Sequence, residues 1–122
     1  MRKESLDFLE ELVNAPSPTS YETRGQRVWL DFVKEFADET SHDAYGNCVA
    51  TLNKGGSPRI MLAGHADEIA LSVNYIDENG FIWVKRMGGV DAIASKAQRV
   101  TVHTRKGAVL GVIGTPPPHM KN

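Results

Sequence analysis

Gly64-His65-Ala66-Asp67-Glu68 is the stretch of this sequence best equipped for chemistry. A His-x-Asp can set an imidazole nitrogen on a metal while the carboxylate two residues on orients or polarises the ring. Glu68 adds a further carboxylate beside them. The segment follows directly on Arg59-Ile60-Met61-Leu62-Ala63-Gly64, a short apolar run of the kind expected for a buried strand in an α/β sheet. The carboxyl ends of such strands are where α/β sheets gather ligands and catalytic groups. Spacing alone leaves two readings of His65 open, a metal ligand or a surface ring held by hydrogen bonds. With 4 histidines and 15 acids among 122 residues, the tripeptide also arises readily by chance.

Other groups offer less. Catalytic zinc takes at least three protein ligands and keeps a position open. His42 beside Asp43 and His103 on the polar side of its strand are expected on the surface, and His119 follows three prolines in an extended tail. Cys48 is the single cysteine, which excludes an internal disulfide framework and a Cys-rich zinc fold. It is expected to be a small core residue, because no neighbouring group would lower its pKa. Glu10-Glu11, Asp38-Glu39 and Asp77-Glu78 read as solvated acids, and nothing marks them as a glycosidase pair. The sequence has no phosphate loop, dinucleotide fingerprint or serine elbow.

The elements that must position His65 fall into two halves. Leu6, Leu9 and Val13, with Phe8 and Leu12, recur at helical spacing and predict one apolar stripe, stopped by Asn14-Ala15-Pro16-Ser17-Pro18. Thr19-Ser20-Tyr21-Glu22 fits a capping box that would open a second helix, with Val28, Trp29, Phe32, Val33 and Phe36 on its buried face. Short strands are expected over 40–45 and 48–53, around a Gly46-Asn47 turn. From residue 70 the pattern is strands only. Asp77-Glu78-Asn79-Gly80 and Lys106-Gly107 read as hairpin turns, with Gly88-Gly89-Val90-Asp91 as a loop between the hairpins.

Composition bounds the function. Hydrophobic residues form 41 % of the chain, enough to build a core, and the net charge is −1. That balance argues against a dedicated nucleic-acid or anionic-membrane binder. It hides a split: residues 1–69 carry 7 basic and 12 acidic side chains, whereas 70–122 carry 7 and 3. No apolar run is long enough to span a bilayer, and MRKESLDFLEEL has acids where a secretory signal needs an apolar core. A soluble, cytoplasmic protein is the expectation.

Leu62-Ala63-Gly64-His65-Ala66-Asp67-Glu68-Ile69 resembles the first metal-site motif of the M42 family of metallo-aminopeptidases, which includes glutamyl, deblocking and TET peptidases. The resemblance extends over Pro16 to Glu22, Asp43-Ala44-Tyr45-Gly46-Asn47, Tyr75 to Phe81, Gly88-Gly89-Val90-Asp91, Gln98-Arg99-Val100 and Gly111 to His119, in family order. It implies an α/β fold. Residues 1–69 would be the N-terminal segment of a zinc-peptidase-like catalytic domain. Residues 70–122 would begin an inserted β-rich, barrel or PDZ-like oligomerisation domain.

The resemblance also implies that His65 ligates one of two divalent metals, zinc or cobalt, and that Asp67 fixes and polarises the metal site. The family reaction removes N-terminal residues from peptides, with a glutamate base activating water and the metals polarising the scissile carbonyl. Ala70 and Val90 depart from common family residues without removing a ligand. In the family the bridging aspartate, catalytic glutamate and remaining ligands lie beyond the inserted domain, past the end of this sequence. The expectation is therefore an N-terminal portion, inactive and weakly metal-binding by itself. The complete enzyme would take a peptide substrate and form a homo-oligomer through the β-rich part, with no nucleic acid or membrane partner. The alternatives are a truncated, non-catalytic assembly module and, further off, an endoglucanase-type hydrolase.

Overall fold

The computed structural model describes residues 1–115, so the proline run and His119 lie outside the described residues. Two helices are followed by three antiparallel hairpins. They are α1 (Lys3–Asn14) and α2 (Thr23–Val33), then β1 (Glu39–His42) with β2 (Cys48–Thr51), β3 (Ala70–Ile76) with β4 (Ile82–Met87), and β5 (Arg99–Thr104) with β6 (Gly107–Val112). The chain divides into two units, Met1–Gly88 and a second from Gly89 onward. No helix among the described residues is long and apolar enough to cross a membrane.

In α1, Glu4 places a negative charge on the first turn, where the helix dipole favours it. Pro16 closes the helix, and the Ala15 amide turns back onto the carbonyls of Glu11 and Leu12. The face that packs is not the whole expected stripe. Phe8 stacks on Phe32 of α2 with ring centroids 3.9 Å apart and planes 12° from parallel. Leu6, Leu9 and Val13 point outward and stay exposed. Val33 is the one buried hydrophobic side chain among the described residues. Phe36 lies past the end of α2 and is exposed, although its ring meets Phe32 edge-on at 5.6 Å.

The capping box does not form. The helix begins at Thr23, and neither Thr19 nor Glu22 caps it through a side chain. Ser20 sits at φ 69°, which turns the chain before a helix can start there. Glu22 accepts instead from the Ser20 amide, and the Thr19 hydroxyl donates to Asp67. A charged acceptor is a stronger partner for that hydroxyl than the cap geometry would offer. Farther along α2, Gly25 lies so close to the 15–19 segment that a Cβ there would come within 2.2 Å of Ser17 Oγ.

The expected strand over Arg59–Gly64 is also absent. Ile60, Met61 and Leu62 are 80 %, 87 % and 95 % exposed, and residues 59–64 join no sheet. An interior strand holds only where neighbours on both sides satisfy its amides and carbonyls. None of the described strands lies against this run. Pairing resumes at Glu68, which forms an isolated parallel bridge with Pro18.

Aspartates organise the turns. Asp43 accepts from the amides of Tyr45 and Asn47 and from the Asn47 side chain, shaping the β1–β2 turn that Gln26 of α2 holds through the Gly46 carbonyl. Gly46 sits at φ 89° in that turn, a conformation suited to glycine. Asp77 accepts from the amides of Asn79 and Phe81 and from Trp83 Nε1 at 2.9 Å. This locks the β3–β4 hairpin, in which Tyr75 and Trp83 stack at 5.7 Å. Asp91 likewise accepts from the Ile93 amide. In the second unit, Ala97 and Gln98 pair with Ile113 and extend the β5–β6 ladder.

The Trp83 indole, with the turn amides, holds the Asp77 carboxyl below the ordinary carboxylate range. A carboxyl lowered by folding stabilises the folded form above its unfolded pKa of about 3.9, and the contribution fades as pH falls through the lowered value. The Trp83 indole proton resonance is therefore expected to shift below about pH 4 as the hairpin loosens. Asp77→Ala should weaken β3–β4 at neutral pH and remove that acid step. An unchanged acid step in the variant would refute the assignment.

Candidate metal-ligand site

His65 rides on an exposed loop that is pinned at its far end. The Glu68 amide donates to the Ser17 carbonyl at 2.8 Å, and the Thr19 amide donates to the Glu68 carbonyl at 3.3 Å. The Ser17 amide donates to Glu68 Oε1 at 3.0 Å. Ser17 is buried at 5 % exposure, with its hydroxyl on the Ala15 carbonyl. The prolines on either side of Ser17 keep this stretch extended, so its backbone groups are free to face another chain segment. Glu68 thus serves the loop's backbone rather than standing as a free carboxylate.

Above this clip, Asp67 uses both carboxylate oxygens. Oδ2 accepts from the Thr19 hydroxyl at 2.7 Å, and Oδ1 lies 3.0 Å from His65 Nδ1. The Asp67 carbonyl is 3.1 Å from the same nitrogen. The Thr19 hydroxyl, and then His65, hold the Asp67 carboxyl below the ordinary carboxylate range. An ionised carboxylate and a carbonyl can only accept, so Nδ1 must carry the proton. In the neutral form of the ring Nε2 is then a lone-pair donor, on a side chain that is 86 % exposed. That is the tautomer a metal-ligating histidine needs.

The ring therefore suits a divalent metal as one ligand, but a complete ligand set is not assembled. Among the described residues no group of three or more His, Cys, Asp or Glu side chains comes together. His42 and His103 are exposed. Cys48 is half-buried, with Sγ 3.6 Å from the Gly46 carbonyl; burial, then the Asp43 charge, pushes its thiol pKa up. A thiol so shifted is a poor nucleophile. The local pattern at 65–68 contained the His–Asp pair. It did not contain Thr19 or Ser17, whose partners are about fifty residues away and carry no spacing signal.

The chain as a whole resembles known proteins. The sequence model of the M42 glutamyl aminopeptidase family matches residues 46–122. Over 116 residues the chain is 37 % identical to the lysyl aminopeptidase of Pyrococcus furiosus, a match covering 94 % of this chain and 33 % of that one. The crystal structure of the TET aminopeptidase from a marine sediment thaumarchaeon superposes with a TM-score of 0.90 at 30 % identity, over 98 % of this chain and 34 % of that chain. The TET1 peptidase of Pyrococcus horikoshii, which can assemble into a tetrahedron or a large octahedral shell, gives 0.79 at 33 % identity over 94 % and 34 %. The chain spans a third of the length of these relatives.

Glu68→Ala removes the side-chain acceptor of the Ser17 amide and leaves the backbone bonds of the clip in place. The lost bond is worth about 1 kcal/mol, so hydrogen exchange at the Ser17, Thr19 and Glu68 amides should rise roughly fivefold. Exchange unchanged at all three amides would show that the side chain contributes nothing to the clip.

Proposed function

The chain belongs to the M42 peptidase family, and from that premise we propose that it is the N-terminal part of a dinuclear metal-dependent aminopeptidase. The observation that carries this reading is the His65–Asp67 contact, which sets Nδ1 against the carboxylate on an exposed ring and so, in the neutral form, keeps Nε2 for a metal. His65 is the ligand this chain contributes, and Asp67 fixes its ring. When bound, zinc or cobalt would polarise the scissile carbonyl of an N-terminal peptide bond. The remaining donors and the base come from outside the described residues.

On this reading residues 1–69 belong to the catalytic domain and 70–122 to the start of a β-rich oligomerisation domain. The described part of 70–122 is built of hairpins and contains no helix, although the compact units divide later, at Gly88. The assembly of the TET1 relative supports a homo-oligomer, whose contacts this reading assigns to the β-rich part. The near-neutral charge argues against a nucleic acid or an anionic membrane as partner; a peptide substrate and a cytoplasmic location complete the reading.

The 122-residue chain alone should bind zinc weakly, lose that binding in His65→Ala, and release no N-terminal residues from peptides. Tight stoichiometric zinc with turnover on the isolated chain would overturn the division of ligands. Fused to the remaining two-thirds of the Pyrococcus furiosus lysyl aminopeptidase, the chain should yield a peptide-releasing enzyme. Asp67→Asn should then lower metal affinity or activity by about 10–100-fold, and His65→Ala should abolish activity. A chimera that keeps full activity with His65→Ala would refute the assignment.

A further inference from the structure

We infer that Thr19 is a positioning residue for the metal ligand: its hydroxyl fixes the Asp67 carboxylate, and Asp67 in turn fixes the proton on His65. Thr19 Oγ1 lies 2.7 Å from Asp67 Oδ2 and 3.4 Å from the Glu68 carbonyl. A hydroxyl has one proton to donate, and the shorter contact to a charged oxygen takes it. With Oδ2 held, Oδ1 is aimed at Nδ1 of His65, 3.0 Å away. Asp67 is partly exposed on a loop, so without Thr19 its carboxylate is free to rotate toward water. The backbone of Thr19 is tied independently, through its amide to the Glu68 carbonyl. The hydroxyl is therefore placed by the clip and is not needed to make it.

The consequence is electronic as well as geometric. A free neutral imidazole favours the proton on Nε2, the nitrogen that must be bare to ligate. The Thr19–Asp67–His65 chain reverses that preference by giving Nδ1–H an ionised acceptor held in place. Threonine 46 residues before the histidine thus selects which nitrogen faces the metal. The inference rests on His65 being a ligand for its functional meaning, but the hydrogen-bond chain exists without metal and is tested without it.

The test uses the metal-free, ¹⁵N-labelled 122-residue chain at about pH 8.5, two units above the ordinary imidazole pKa. Ring ¹⁵N shifts report the tautomer of His65, and the Ser17 and Glu68 amide resonances report the clip. The parent chain is expected to hold Nδ1–H in majority. Thr19→Ser should keep it. Thr19→Val should move the ratio toward Nε2–H by roughly fivefold, the scale set by one hydrogen bond, with the two amide resonances in place. Four results overturn the inference: no Nδ1–H bias in the parent, no change in Thr19→Val, failure of Thr19→Ser to retain the bias, or loss of the clip amides together with it. The last would make Thr19 a brace for the whole loop. An inactive chimera with the tautomers as expected would sink the peptidase reading alone.

Discussion

The parallel bridge between Pro18 and Glu68 joins segments fifty residues apart, and the site depends on it. Through it the Ser17 and Thr19 backbone fixes the end of a loop that otherwise has no partner in the described chain. Everything that orients His65 follows. Asp67 is brought under the Thr19 hydroxyl, and the ring is brought under Asp67. On its other side the segment packs against α2, where Gly25 leaves room for Ser17: a Cβ there would come within 2.2 Å of Ser17 Oγ. The line of contacts runs from a missing Cβ on α2, through a buried serine, to the proton on a histidine.

Elsewhere the order is local. Apolar burial is slight, with Val33 alone among the described hydrophobic side chains buried, so packing cannot account for the precision of the hairpins. Carboxylates supply it instead. Asp43, Asp77 and Asp91 each stand at the start of a turn and accept amides two residues on. This is the short-range bonding that makes aspartate a turn former. Asp77 adds a longer reach to the Trp83 indole, tying the turn to the stacked Tyr75–Trp83 pair on the hairpin face.

These different ranges explain what the sequence could convey. Both helices and all three hairpins were legible, because periodicity, proline stops and glycine-bearing turns act within a few residues. The His65–Asp67 relation was legible for the same reason, being a contact across two residues. The strand over Arg59–Gly64 was misread because an apolar run states only that a strand could be buried, and burial requires neighbours that the run does not contain. Thr19 was misread because its local spacing matched a cap, while its true acceptor lies 48 residues on. Asp77, taken as a solvated acid, was missed because its indole partner arrives only when the hairpin closes.

A metal site has the same two ranges within it. Choosing the tautomer of one ligand is a matter of a loop and its clip, and on the proposed reading this chain does that by itself. Gathering three or more donors around one point is a matter of the whole fold, and the described residues do not do it. The two tasks separate cleanly because imidazole is neutral and tolerates exposure, whereas a cluster of carboxylates needs its cation to offset their repulsion. A histidine prepared by its own loop can therefore wait in water at little cost. On the proposed reading, its ring then presents the nitrogen that a second set of residues would need to find.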